Sequence, residues 1–460
     1  MNKPYDLLIV GAGPAGIYLG WLMAKKGKSI LILERDSRES VGSKMDQFHM
    51  DTFAFEEFGV PPPALGNDEY ITSLETTIHY SPKGNYPQKM KWGVIAMRFQ
   101  LFVRRLINLS EKEGVNFQFS SQFKSNIFQD KKLIGIIIEK DGNEMELYGR
   151  VIVDASGTSA VVRRSLPNEY GVETFKIEDD EKMYVIQRVI RWQKPDEPHP
   201  GIEAKSITWM YYKHWIAPHF ISNANIFGNG QPRSFQNAEK ANKIFLENMP
   251  FPPFEILEEH RATTVYRRLP YSLVGDAFFC LGDSACMTKP FNGEGVALSW
   301  AVSRIASEVL DDALQNRDYI SKEKLWEINV KYFRDYGAKC SALLAQIPVA
   351  ANTTKNDMEF LFKKEIIFSA KAFEDMNNYY ELQIGLGGMI KILGVFLWGI
   401  ITRQFSKKTL GTMLKYMKIS NKIRKHYEMF PENSKDFDEW VVKADELWSP
   451  VEKMKFTLFN

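Results

Sequence analysis

The chain has 460 residues, too many for one ordinary hydrophobic core and suited to two or three domains. Its 44% hydrophobic and 25% charged residues describe a folded globular protein, and 13% aromatics supply core material that a disordered chain lacks. A net charge of +2 gives no broad field for nucleic acid, and Cys280, Cys286 and Cys340 form neither a disulfide framework nor a metal-ligand spacing.

No metal and no nucleic-acid partner are therefore expected, and a reducing cytoplasm is the expected compartment. The opening "MNKPYDLLIV" does not read as a signal peptide, because it lacks a basic n-region, a long apolar stretch and a small-residue cleavage site.

Leu7 to Val10 read as a strand buried on both faces. Gly11, Gly13 and Gly16 follow as G-x-G-x-x-G, with Pro14 and Ala15 inside the pattern. Ile17 to Lys26 read as a helix closed by Gly27, and Ser29 to Leu33 as a second strand ending in Glu34 and Arg35. The order carries chemistry. Gly11 allows the tight turn, Gly13 lets backbone approach a pyrophosphate, and Gly16 lets helix and strand close together. The helix N-terminus offers free N–H groups and a positive dipole end to phosphates. Glu34 stands where a carboxylate accepts hydrogen bonds from ribose hydroxyls, and its charge opposes a 2′-phosphate. The nucleotide is FAD or NAD(H) on this loop alone.

In "VGSKMDQFHMDTF", Lys44, Met45, Gln47 and His49 face a ligand or are ordinary loop residues. "IAMRFQLFVRRLINLSEKEGVNF" reads as a helix before a strand, led by Arg98. Val151 to Val153 form an apolar strand that runs into Asp154 and Gly157, with Arg163 and Arg164 downstream. From about Lys176 to Val265 the pattern is aromatic-rich strands, "MYVIQRVIRW", "SITWMYY" and "NANIFGNG".

A second glycine-rich loop follows the apolar strand Ala277 to Leu281. It runs from Gly282 and Asp283 through Pro290, Gly293, Glu294 and Gly295 to a helix that starts at Val296. Cys286 within it is expected to be a small buried filler. His214, His219 and His260 are candidate proton donors, although a surface or satisfied polar role is the simpler reading for each.

From about Ser341 the chain is helical, rich in Met, Phe and Lys. "IGLGGMIKILGVFLWGIIT", Ile384 to Thr402, has the length of a membrane span but carries Lys391 and several glycines, with Arg403, Lys407, Lys408, Lys415 and Lys418 after it. A buried core helix, a tunnel wall, a surface-lying membrane contact and a span all remain open. For a membrane contact, Leu386, Met389, Ile390, Leu393, Phe396 and Leu397 form the expected apolar face.

The second loop resembles the flavin-contacting motif of the superfamily that contains aromatic hydroxylases and geranylgeranyl reductases. "KPFNGEGVALSW" is similar to the Pro-x-x-Gly-Glu-Gly loop of the geranylgeranyl reductase branch. "YYKHWIAPHF" resembles that branch's Tyr-x-Trp-x-Phe-Pro-Lys signature, with Trp215 and Pro218 in matching places and Tyr212 one position off. The resemblance covers most of Met1 to Cys340.

It implies an α/β fold. An FAD-binding Rossmann-like domain of ββα three-layer type would carry an inserted antiparallel-sheet substrate domain and a C-terminal helical region. The implied boundaries are 1–75, 95–170 and 266–340 for FAD, 76–94 and 171–265 for substrate, and 341–460 for the helices. It also implies that the two loops hold two ends of one FAD. Gly11, Gly13, Pro14, Ala15, Gly16, Glu34 and Arg35 would take the AMP end. Asp283 would contact the ribitol or pyrophosphate region, and Arg98, Pro290, Gly293, Glu294, Gly295 and Val296 would take the flavin end. Tyr212, Trp215 and Pro218 would meet substrate.

The implied activity is FAD-dependent reduction of isoprenoid C=C bonds, in a prenyl lipid or prenyl quinone. The electron donor is left open between NADPH and reduced ferredoxin, the latter as an electron-transfer partner. An FAD monooxygenase using NAD(P)H and oxygen on an aromatic or polyketide-like substrate is the alternative. A non-catalytic lipid-binding flavoprotein is a third reading. The Trp-x-Trp-x-Ile-Pro signature of flavin halogenases is absent.

Overall fold

The computed structural model describes residues 3–453 apart from 46, 198–202, 204, 211–213, 249–250, 291, 367–368, 381 and 383. Continuous apolar runs place Tyr5–Val10 and Ile30–Leu33 side by side as parallel strands at the centre of the first sheet. The sheet's order is Val274–Gly275, Phe278–Cys280, Asn143–Asp154, Tyr5–Val10, Ile30–Leu33, Asn116–Gln118. Its pairings are parallel from Phe278–Cys280 through to Asn116–Gln118. The long strand Asn143–Asp154 leaves this sheet to join an antiparallel meander with Gln122–Gln129 and Lys132–Lys140. Helices Pro14–Lys25, Phe99–Lys112 and Val296–Ala313 pack on one another. Sheet, meander and helices are the expected three layers, and their shared core includes Leu7, Ile9, Ile32, Val153, Phe279 and Trp300.

The second sheet has eight strands, in the order Phe254–Val265, Lys182–Trp192, Ala224–Pro232, His214–Pro218, Ser206–Met210, Tyr70–His79, Gln88–Arg98, Gln47–Asp51. It departs from a purely antiparallel sheet at one place, where Ser206–Met210 runs parallel to Tyr70–His79. The boundary expected at 75/76 falls inside Tyr70–His79, which pairs with second-sheet neighbours on both sides. We propose a division by sheet pairing, which assigns the strands between 47 and 98 to the substrate side.

The C-terminal helices complete the molecule in two ways. Tyr427, Phe430, Trp440 and Trp448 join the core of the first sheet's domain. Met358, Phe360, Phe396, Phe405 and Leu410 make a separate small core. Among the described residues no helix is long and apolar enough to cross a membrane.

Candidate functional site

Three neighbouring strands of the first sheet end at one level, because Val10 is in register with Asp154 and Asp154 with Cys280. The loops that follow them meet in one crevice at the strands' carboxyl ends, the position where open α/β sheets bind ligands.

Gly11 has φ +112°, and a Cβ there would lie 2.3 Å from the Ala155 carbonyl oxygen. A Cβ at Gly16 would lie 2.4 Å from the Gly11 oxygen and 3.0 Å from the Ala155 Cβ. Both glycines are forced by protein contacts. Gly13 differs, because no protein atom lies within 4 Å of where its Cβ would be. It caps the helix Pro14–Lys25, whose first N–H groups have no intrahelical acceptor. The loop is therefore a backbone cradle with space left open at Gly13, and a pyrophosphate fits that description. Glu34 sits below it: its Oε2 accepts from the Ala12 N–H at 2.9 Å and its Oε1 from the Asp36 N–H at 2.9 Å. Each oxygen keeps a second lone pair for a ribose hydroxyl. Arg35 is exposed and lies 3.8 Å from Asp36.

The middle loop is a staple. Asp154 accepts from the Ser156 hydroxyl and N–H and from the Arg163 N–H, at 2.6, 3.0 and 2.7 Å. The fully buried Arg163 donates to the Ser284 carbonyl at 2.8 Å and the Glu173 carbonyl at 2.6 Å, with its guanidinium 4.2 Å from the Phe175 ring centroid. Ser284 in turn donates to the Asp154 carbonyl at 2.5 Å. Arg163 thus locks the middle loop to the second glycine loop, and its Nη2 is buried without a hydrogen-bond partner. Arg164 is exposed and donates to the nearby Ser159 carbonyl.

The second glycine loop touches the first. A Cβ at Gly282 (φ +70°) would lie 3.0 Å from the Ala15 Cβ, and Trp300 Nε1 donates to the Pro14 carbonyl at 3.0 Å. The helix Val296–Ala313 starts at Gly295, so two helix N-termini converge on the crevice. Burial pushes the Asp283 carboxyl up to about 6, with Thr288 pulling the other way. Cys286 is buried in the left-handed region (φ +58°), and burial pushes its thiol up to about 12, which fits an inert filler.

Side chains from three distant segments close the far end of this loop. Lys289, 3% exposed, donates to the Asn377 carbonyl at 2.9 Å and to its Oδ1 at 3.0 Å. Asn377 Nδ2 donates to Asp51 Oδ1 at 3.3 Å, and Trp92 Nε1 donates to the same oxygen at 2.6 Å. Glu294 lies between Lys289 (4.0 Å) and His49 (3.7 Å). Burial, then the Asp51 charge, hold the Glu294 carboxyl well above the usual carboxylate range, against the pull of Lys289. Burial pushes His49 down to about 4, so it is neutral beside Glu294. Thr288 Oγ1, Asn292 Nδ2 and Glu294 Oε1 are buried here without a well-formed hydrogen bond, Thr288 near Asp283 and Asn292 near Glu294. Buried polar groups are normally satisfied, so poorly satisfied groups in one loop fit a polar ligand edge such as a flavin ring.

An apolar face adjoins this network. Trp92 packs on Phe373 at 5.6 Å, Phe373 on His79 at 6.1 Å, His79 stacks with Trp209 at 5.8 Å, and Trp209 meets Trp215 at 5.3 Å. Trp215 lies over Gly228, where a Cβ would come within 2.2 Å of its ring. Pro218 ends the same strand, and Tyr212 lies outside the described residues.

Arg98 ends the strand opposite Gln47, its guanidinium 5.1 Å from the Phe220 ring centroid. Pro290 is buried in the second loop. Lys44 is exposed, His214 stacks on Phe245 at 4.3 Å, and His260 lies 3.1 Å from Glu258.

Sequence reasoning left His49 open between facing a ligand and an ordinary loop role, and it missed Lys289, Asp51, Trp92 and Asn377. Lys289 stands inside the recognised motif. Asn377 carries no sequence signal, because it meets Asp51 across 326 residues of chain.

A parallel sheet whose adjacent strands feed two glycine loops at their carboxyl ends, joined to a second sheet with an aromatic face, is the frame of a dinucleotide-binding oxidoreductase. The chain matches the FAD binding domain family over residues 4–302 and belongs to it. It is an FAD-dependent oxidoreductase.

It is similar to the digeranylgeranylglycerophospholipid reductase of Sulfolobus acidocaldarius, 22% identical over 465 residues that take in 98% of each chain. A 1H-pyrrole-2-carbonyl-[peptidyl-carrier protein] brominase of Pseudoalteromonas luteoviolacea is 26% identical over 69% of this chain and 80% of its own. Among solved structures, a geranylgeranyl bacteriochlorophyll reductase-like protein from Thermoplasma acidophilum superposes with a TM-score of 0.64 at 15% identity. That match covers 85% of this chain and 95% of the other.

Proposed function

We propose that the protein is a reductase that saturates C=C bonds of an isoprenoid, a prenyl lipid or prenyl quinone. The observation that carries this reading is the aromatic face of Trp92, Trp209, Trp215 and Phe373 set directly against the polar end of the second glycine loop. That sets apolar side chains, Trp92 and Phe373 buried and Trp209 and Trp215 part-buried, beside groups that manage charge. The end-to-end similarity to an enzyme named as a digeranylgeranylglycerophospholipid reductase supports the same substrate class.

In this reading Gly11, Gly13, Pro14, Ala15 and Gly16 cradle the phosphates of FAD, and Glu34 and Arg35 lie at its ribose end. Asp283, Pro290, Gly293, Glu294, Gly295 and Val296 meet the flavin, with Arg98 on the strand side. FAD in its reduced form supplies hydride equivalents to an alkene. The start of helix Val296–Ala313 stabilises negative charge in the crevice. Trp92, Trp209 and Phe373 exclude water. Glu294 holds a proton on its carboxyl at neutral pH, and Lys289, fixed by Asn377, keeps that group in place. Trp215 and Pro218 belong to the substrate wall.

The electron donor is NADPH or reduced ferredoxin, which makes an electron-transfer protein one candidate partner. A prenyl substrate resides in a bilayer, so the reading includes a cytoplasmic enzyme in peripheral contact with a membrane.

Anaerobic turnover of a prenyl lipid with chemically reduced enzyme tests the proposal. Loss of the alkene without oxygen is the expected result, read by mass spectrometry. Turnover that requires oxygen and yields a hydroxylated product overturns it in favour of a monooxygenase. A bound flavin that no donor and acceptor can turn over leaves only a lipid-binding role.

A further inference from the structure

The helix Leu386–Ile401 keeps one face on the small C-terminal core, where Phe396 packs on Phe405 and a Cβ at Gly399 would lie 2.4 Å from the Phe360 ring. Its other face is bare. Ile390 is 65% exposed and Ile401 80%, and Met389, Leu393, Leu397 and Trp398 are exposed between them. The spacing 390, 393, 397, 401 follows a single helical face. Leu414 and Met417 are exposed on the following helix, Lys407–Glu428, which rests on the same small core through Leu410. A soluble protein rarely shows so much contiguous apolar surface without a use for it.

The chain that forms this surface carries charge of one sign. From Leu382 to Tyr427, 46 residues, the chain has no Asp or Glu and nine Lys or Arg. Lys391, Arg403, Lys407, Lys408, Lys415, Lys418, Lys422 and Lys425 are all exposed, and among the described residues no carboxylate pairs with any of them. Elsewhere the surface mixes signs and is laced with ion pairs such as Arg188 with Glu239 and Glu259. An apolar face framed by unpaired cations complements a surface that is apolar below and anionic above, which is an anionic lipid bilayer.

The position suits the site. The preceding helix, Ala370–Tyr379, carries Phe373 and Asn377, which contact Trp92, Asp51 and Lys289. Few residues of chain separate the roof of the site from the apolar helix.

We infer that the outer face of Leu386–Ile401, with the lysines of Lys407–Glu428, docks the protein on anionic membrane lipid and holds the site at the bilayer surface. The inference deepens the reading of a lipid substrate, but docking is measured without substrate or turnover.

The test is flotation of the full-length protein with vesicles of phosphatidylcholine, alone or mixed with phosphatidylglycerol. The wild type is expected to float with the mixed vesicles, weakly with phosphatidylcholine alone, and to be released by high salt, which screens surface charge. I390S/L397S, confined to exposed positions, and K415E/K418E, which changes charge alone, are each expected to lower bound fraction about tenfold, given the contribution of each charge near an anionic surface. Both should melt as the wild type does.

Wild type that stays with the soluble fraction, or variants that float undiminished, overturn the inference. So does a salt-insensitive dimer that I390S/L397S converts to monomer, since a second copy would then cover the face. Anaerobic alkene reduction in detergent without flotation removes the docking surface and spares the activity; flotation without reduction does the reverse.

Discussion

The two glycine loops reach the same crevice by opposite means. The first is made of backbone: Gly11 and Gly16 are held by contacts to Ala155 and to each other, and Glu34 pins the turn from one strand away. The second is made of side chains drawn from far apart: Lys289 on Asn377, Asn377 and Trp92 on Asp51, His49 beside Glu294. A backbone cradle suits a phosphate, whose charge is fixed and whose shape is constant. A network of buried titratable groups suits a ring that changes charge during a reaction.

The sharpest way to break the comparison is within the first loop. Gly11→Val meets a left-handed φ and the Ala155 carbonyl together, so folded protein should be lost. Gly13→Val meets only open space in the protein, so it should fold with the melting temperature of FAD-free wild type and lose FAD. Absorbance of the purified variants and thermal melts read both outcomes. A Gly13→Val protein that keeps full FAD stoichiometry would remove the cradle assignment.

In the second loop the largest expected effect is from Lys289→Met. It strips the donor from both Asn377 oxygens and removes the cation 4.0 Å from Glu294, a loss of about 1–3 kcal/mol for each buried group left unsatisfied. Urea unfolding measures it. A loss below about 1 kcal/mol, the value of a surface pair, would mean the network is solvated.

These contrasts explain what could be read from the chain. The first loop was legible because the contacts that force its glycines and pin its turn are local or lie at the ends of neighbouring strands. The aromatic strands were legible by composition, and Lys182–Trp192, Ser206–Met210 and Ala224–Pro232 are where the pattern put them. Asp51 and Asn377 were not legible, since nothing near either predicts a meeting 326 residues apart. The apolar helix was half legible. Its helical spacing was visible, but Phe396 was grouped with the outer face. Gly399 decides the rotation: its missing side chain lets Phe360 come against the helix, which turns Phe396 inward. A Phe396→Ser/Leu397→Ser pair would therefore damage the small core as well as the surface.

Glu34→Ala sharpens the comparison at the next level down. It removes acceptors for the Ala12 and Asp36 N–H groups as well as for a ribose, so FAD affinity should fall by about 1–3 kcal/mol, the scale of charged hydrogen bonds. Titration of apoprotein with FAD reads it, and unchanged affinity would confine Glu34 to the turn.

The smallest effect is a pH slope, and it separates the loops most cleanly because the groups that titrate cluster in the second. Burial and Asp51 raise the Glu294 carboxyl above its unfolded value of 4.5, with Lys289 opposing. Folded protein therefore binds a proton that unfolded chain has released, and stability must fall as pH rises from the unfolded to the folded pKa. The other titrating groups nearby act elsewhere. Asp283, at about 6, adds the same sign of slope between 3.8 and about 6. His49 at about 4 and His79 at about 3 are depressed, so they add the opposite slope below 6.5, where unfolded histidine is protonated and the folded rings are not. Above pH 6.5, and up towards its raised folded pKa, Glu294 is the principal contributor among these four. One proton corresponds to about 1.4 kcal/mol per pH unit at most. Wild-type stability from urea unfolding should decline over that window, and Glu294→Gln should flatten the decline and remove the same downward contribution from about pH 4.5 upward, leaving the slope below about pH 4 unaltered. A wild-type curve already flat above pH 6.5 would show that Glu294 is ionised in the folded protein, and the proton assigned to its carboxyl would have to reside elsewhere.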